Sequence, residues 1–197
     1  MAAAGADVVV NGRSADRVAE AAERIGGRGI AADVGTAAGT AELIRQLPDA
    51  DIPVNSTGIF ATEPDFDITD EDRLRFYEVN VLSGVRLVRH HAPRTVARGW
   101  GRVVFVSSEA GVRTPPDMVR YGTTGTAQPA VSRGMAQEVA GSGVTVNCVL
   151  PGPGGLRQQR GRGPDSARHG PVRHDRDRAA GRLPGHGPGG RRQRRHG

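Results

Sequence analysis

The stretch from Val103 to Ala127, VVFVSSEAGVRTPPDMVRYGTTGTA, constrains the fold of this chain more than any other. Val103-Val104-Phe105-Val106 is a short β-branched apolar run, as in a buried strand. It stops at Ser107-Ser108, a Gly/Pro-rich loop follows, and a helical segment starts at Tyr121. A hydroxyl at a strand's carboxyl end and a phenol 13 residues later (121 − 108) suit an active site in an open α/β sheet. Ligands of such sheets sit beyond the carboxyl ends of the strands.

The rest of the chain repeats the strand–helix alternation. Ala6 to Asn11 reads as a buried strand, Gly12-Arg13-Ser14 as a turn, and Ser14 as the cap of a helix over Ala15 to Ile25. Gly26-Gly27 ends that helix, and Arg28 to Ala32 is the next strand, closing on Asp33-Val34. Thr36 caps a second helix, Ala37 to Leu47, stopped by Pro48. Asp51 to Ser56 is a third strand, with Pro53 an awkward member because proline donates nothing to a ladder. A long helix is expected over Glu71 to Ala97, with Leu74, Val81, Leu82, Val85 and Val88 as its apolar stripe and a kink at Pro93. Strand Arg102 to Val106, helix Tyr121 to Ala140 and strand Val144 to Leu150 complete the series. The pattern predicts an α/β fold, a doubly wound parallel sheet with helices on both faces.

The 197 residues suffice for one domain with a sizeable core. The formal charge is +6, and every cation is Arg, since the chain contains no Lys. Cys148 is the single cysteine, which excludes an intrachain disulfide and reads as a small core residue. No apolar run approaches the ~18 residues of a membrane span, and the N-terminus lacks the pattern of a secretory signal, so a cytoplasmic protein is expected. Residues 151–197 hold 12 Arg against 3 Asp, while the remainder holds 15 Arg against 18 acidic residues. With no aromatic and few branched apolar residues, 154–197 is expected to be a disordered tail after a domain over 1–153. The abrupt change has the look of a reading-frame shift.

Four pieces of the sequence together resemble the short-chain dehydrogenase/reductase family, over about Ala4 to Pro153. They are Asn55-Ser56-Thr57-Gly58 at a strand end, Asn80 within Tyr77-Glu78-Val79-Asn80-Val81, Ser108 with Tyr121, and Pro151-Gly152. The resemblance implies a Rossmann-like sheet and NAD(P)-dependent hydride transfer on a small or acyl-type carbonyl or alcohol. It implies that Ser108 would hydrogen-bond the substrate oxygen, Tyr121 would act as general acid/base, and Asn80 would join a water-mediated proton relay. Asn55 and Gly58 would line the adenosine side, Asp33 and Val34 would flank the adenine, and Pro151-Gly152 would meet the nucleotide at the last strand. Asn11-Gly12-Arg13 carries no carboxylate for a ribose 2′-OH, and Arg13 suits a 2′-phosphate, so NADP is expected rather than NAD. The helices over Glu71–Ala97 and Tyr121–Ala140 would form a homo-oligomer interface.

Three departures stand beside the resemblance. The family's Lys four residues after the Tyr, which lowers the phenol's pKa and holds the nicotinamide ribose, is replaced by Gly125. The first strand and the Gly-rich loop that holds the pyrophosphate are not recognisable, and Met1 to Ala4 reads as the end of the helix that follows that loop. The missing strand would lie between the first and third strands present here, so two ladders would lose a partner or re-pair. The Arg/Gly/Pro tail stands where the last strand and the substrate-covering helices are expected. An impaired oxidoreductase is therefore the expectation. The alternatives are a non-catalytic remnant or dimerisation partner of an intact relative, and nucleic-acid binding through Arg160 to Gly163 and Arg191 to Arg195. The tail lacks aromatics for base stacking, and His169, His174, His186 and His196 lack metal-site spacing, so no metal is expected.

Overall fold

The structure is a computed structural model that describes residues 1–152, and the expected disordered tail and its basic clusters lie outside the described residues. Among the described residues five strands and five α-helices follow in order, with α3 and α4 together between two strands: β1 Val9–Gly12, α1 Ala15–Ile25, β2 Arg28–Ala31, α2 Ala37–Gln46, β3 Val54–Asn55, α3 Asp70–Tyr77, α4 Ser83–Ala97, β4 Gly101–Val106, α5 Val119–Glu138 and β5 Val144–Val149. All pairings are parallel, as the alternation predicts. They form two sheets, β1-β2 and β3-β4-β5. Among the described residues the first and third strands do not pair with one another.

Local chemistry explains most boundaries. Ser14 accepts from Arg17 N and Thr36 from Gly39 N, capping α1 and α2 as expected. Gly26 ends α1 at φ 65°, a left-handed conformation that favours glycine. The third strand is shorter than expected, with only Val54 and Asn55 in regular ladder geometry. Pro53 has no N–H, although Asp51 and Pro53 still offer carbonyls to Arg102 N and Val104 N at 3.0 Å each.

The expected long helix is divided. A π-turn over Glu78–Leu82 separates α3 from α4, while Pro93 lies inside the continuous span of α4. The π-turn rotates the apolar face between the two parts. Leu74, expected on the stripe, is therefore 69% exposed, and Phe76 is buried in its place. Val81 and Val88 are buried as expected. One core cluster joins Val88, Ala92, Val103, Phe105, Val139, Val144 and Val146 across α4, β4, β5 and the end of α5. Cys148 packs partly buried against it, and that burial pushes its thiol pKa up. A second cluster, Ile30, Ala32, Val34 and Leu43, packs α2 on β2. Each buried Val, Leu or Phe contributes about 1.5–3 kcal/mol. Among the described residues no helix is long and apolar enough to cross a membrane.

Candidate active site

Beyond the ends of β3 and β4 lies a cavity of about 220 Å³. Gly58, Asn80, Tyr121 and Gly125 line it, together with Ser56, Thr57, Ile59, Phe60, Val106, Ser107, Thr124 and Gln128. Four of the expected positions, from three separate parts of the chain, thus meet in one place. The α5 contribution follows helical periodicity. Tyr121, Thr124, Gly125 and Gln128 are spaced at three, four and seven residues from the tyrosine and share a face.

Asn80 sits in the π-turn and is 4% exposed. Its Oδ1 accepts from Ile59 N at 2.8 Å, and its Nδ2 donates to Ile59 O and Thr124 Oγ1 at 3.0 Å each. This side chain therefore ties the loop after β3 to α5. A π-turn takes a carbonyl out of the α-helical ladder, and Gln128 Nε2 donates to the backbone carbonyl of Asn80. Tyr121 stands in the first turn of α5, with the Phe60 ring edge-on at 6.2 Å.

The two serines at the end of β4 diverge. Ser107 lines the cavity and donates to Gly125 O at 2.8 Å. Ser108 accepts from Ala110 N at 3.2 Å and caps the 3₁₀ turn Glu109–Gly111. That turn lies tight on α5. A Cβ at Gly125 would stand 3.1 Å from Gly111 N and 3.2 Å from Gly111 Cα. Any side chain at 125 therefore needs a shift of a few tenths of an ångström there.

The remaining expected positions lie outside this cavity's lining. Asn55 is 7% exposed, and neither its Nδ2 nor its Oδ1 has a hydrogen-bond partner among the described residues. Arg13 is exposed in the turn after β1 and makes no salt bridge among the described residues. Asn11 beside it donates to Ile30 O and Ala32 O, so its side chain is committed to β2. Asp33 accepts from Gly35 N, and the Val34 side chain belongs to the second core cluster. Pro151 and Gly152 are exposed, with Pro151 O accepting from Glu109 N at 3.0 Å.

Phe60, Ser107, Thr124 and Gln128 are among the lining residues that the motifs do not include. The helical spacing from Tyr121 could have found Thr124 and Gln128, whereas Phe60 carries no periodic signal. Arg120 is a further unforeseen element, 5% exposed beside Tyr121. Its guanidinium meets Glu63 at 3.0 Å and Asp72 at 3.3 Å and lies 4.1 Å from the centre of the Phe76 ring. It faces away from the cavity and clamps the 60s loop and α3 to the start of α5. Among the described residues no three His, Cys, Asp or Glu side chains are grouped to share a metal ion.

The family model for short chain dehydrogenases matches residues 1–158. An uncharacterized oxidoreductase of Bacillus subtilis, YvrD, is 43% identical over 156 residues, which are 76% of this chain and 59% of the relative. A solved short chain dehydrogenase/reductase family protein superposes with a TM-score of 0.75 at 39% identity, over 77% of this chain and 66% of its own. L-sorbose reductase of Gluconobacter frateurii, solved with NADPH and L-sorbose, gives 0.71 at 33% identity, over 77% and 61%. The chain thus spans about three-fifths of the length of the curated relative it matches. Sequence motifs, strand order and the family match converge, and the chain belongs to the short-chain dehydrogenase family.

Proposed function

We propose that this chain is an NADP-linked oxidoreductase site in impaired form, built for hydride exchange with a small or acyl-type carbonyl or alcohol. The observation that carries the reading is the meeting of Gly58, Asn80, Tyr121 and Gly125 around one cavity beyond the strand ends. The Asn55 amide, buried outside that lining without a hydrogen-bond partner among the described residues, supports a nucleotide beside it. A buried amide without a partner costs about 1–3 kcal/mol, and a polar ligand edge would satisfy both its atoms. Asn55 and Gly58 would hold the adenosine side, Asp33 and Val34 the adenine, Pro151 and Gly152 the strand-end contact, and the exposed Arg13 a 2′-phosphate. The NADPH complex of L-sorbose reductase, a relative, supports the choice of cofactor. When bound, the nicotinamide supplies or accepts the hydride.

The chain's own residues handle the proton. Tyr121 would donate to or accept from the substrate oxygen, and Ser108 would hydrogen-bond that oxygen after releasing Ala110 N. Asn80 would hold the relay through its fixed amide. Impairment follows from Gly125, because none of the cavity's lining residues is a cation. Losing control of a general acid/base typically costs about 10²–10⁴ in rate. Weak nucleotide binding and a cytoplasmic homo-oligomer are part of the same reading.

A fluorescence titration with NADPH tests it. Weak, saturable binding that Arg13→Ala weakens further, and that NADH does not reproduce, is expected. Absence of any saturable binding would remove the nucleotide reading. Gly125→Lys alone is expected to give no measurable NADPH turnover, and turnover in that variant would overturn the account of impairment. The same cation-poor cavity also favours a second reading, a non-catalytic partner for an intact relative. Co-purification with such a relative, without nucleotide binding, would select it.

A further inference from the structure

The cavity beside Tyr121 is chemically unbalanced, because acceptors converge on it and no cation does. Ser107 Oγ spends its single proton on Gly125 O, which leaves its lone pairs free. Thr124 Oγ1 spends its proton on Tyr121 O and accepts only from Asn80 among the described residues. Gln128 is 6% exposed and lines the cavity. Its Nε2 donates to Asn80 O, and its Oε1 accepts no hydrogen bond from a described residue. None of the 12 lining residues is Arg, Lys or His. Arg120, the nearest in sequence, is engaged elsewhere by Glu63 and Asp72.

At the Gly125 wall a Cβ would meet Gly111 N at 3.1 Å and Gly111 Cα at 3.2 Å, with Ser107 Oγ at 3.7 Å, so the room lies in the cavity itself. The cavity's 220 Å³ exceeds the ~30 Å³ share of one water several times. Ile59 and Phe60 supply an apolar flank. An ammonium group carries three donors and no acceptor, which complements Gln128 Oε1, Ser107 Oγ and Thr124 Oγ1.

We propose that this cavity binds a small primary alkylammonium ion, its three N–H groups shared among Gln128, Ser107 and Thr124 and its carbon end against Ile59 and Phe60. The ion places a positive charge beside Tyr121. In that role it deepens the oxidoreductase reading, but its binding does not require the nucleotide.

The test is a titration of the ¹⁵N-labelled full chain with ethylammonium chloride, against tetramethylammonium chloride at matched ionic strength. Ethylammonium is expected to shift the Gly125 amide and the Gln128 side-chain amide saturably in the millimolar range and to raise the thermal midpoint. Tetramethylammonium, which has no N–H donor, is expected to do neither. Gln128→Leu should weaken the apparent affinity about 10-fold, and Gly125→Lys, which tethers an ammonium in the cavity, should abolish the response. Equal responses to the two salts, or no saturable response in the unsubstituted chain, overturn the proposal whether or not either variant folds. So does an unchanged affinity in a folded variant. Ethylammonium binding without NADPH binding upholds this site and removes the nucleotide reading. NADPH binding without ethylammonium binding overturns this site alone.

Discussion

Replacing Arg120 by Met should destabilise the fold by about 1–2 kcal/mol, and the structure shows why the figure is not larger. Arg120 is 5% exposed, whereas its partners Glu63 and Asp72 have side chains 39% and 43% exposed. Removing one member of a fully buried pair costs about 3–5 kcal/mol because the other charge is stranded. Here both carboxylates can recover water, so most of that penalty is avoided. The contact with the Phe76 ring at 4.1 Å is worth about 0.5–2 kcal/mol, and Met keeps the packing of the stem. Arg120 Nε is itself buried without a partner among the described residues, so its removal returns part of the loss. Arg120→Ala adds a cavity and should cost about 2 kcal/mol more. Urea unfolding followed through Trp100, the only tryptophan, measures both variants. The wild-type m-value should be retained, and each kcal/mol should lower the thermal midpoint by about 2–4 °C in a domain of this size. If Arg120→Met matched or exceeded wild-type stability, the clamp would not be net stabilising and the argument would fail. Glu63→Gln and Asp72→Asn should each cost less than Arg120→Met, since either leaves the guanidinium one carboxylate.

Other perturbations test other layers of the fold. His91 is 3% exposed on α4, and burial, with positive neighbours adding to it, lowers its pKa to about 4 from an ordinary 6.5. The unfolded chain therefore binds the proton first, so stability is complete above pH 6.5 and declines as pH falls toward 4. About 2 kcal/mol should be lost by pH 5, and urea midpoints of wild type and His91→Leu should show that slope only in the wild type. Gly29→Ala would set a Cβ 2.7 Å from Val18 Cγ1 and 3.3 Å from Val18 O, where α1 crosses β2. A loss of about 1–3 kcal/mol is expected, and a neutral result would show that α1 yields easily. Thr36 caps α2 through a 3.0 Å bond, while Ser14 caps α1 at 3.5 Å. Thr36→Ala should cost about 1 kcal/mol and Ser14→Ala less; the opposite order in thermal unfolding would refute the ranking.

Sequence by itself determined the element order and the parallel class. Those properties follow from local rules. β-branched runs make strands and hydroxyl caps start helices. The strand that shrank did so around Pro53, a conflict already visible in the sequence. Tertiary structure decided what periodicity could not express. The π-turn at Glu78–Leu82 offsets the face of α3 from that of α4, and Leu74 is exposed while Phe76 is buried, because the wider turn rotates one part of the expected long helix relative to the other. Within that turn the Asn80 carbonyl meets Gln128, a contact 48 residues apart in the chain. Ser107 lining the cavity while Ser108 caps a turn was equally hidden, since adjacent side chains on an extended backbone point to opposite sides. Arg120 could be read from sequence only as a charge near Tyr121. Its burial and its two carboxylates come from α3 and the 60s loop folding over the start of α5, and only long-range packing brings those groups together.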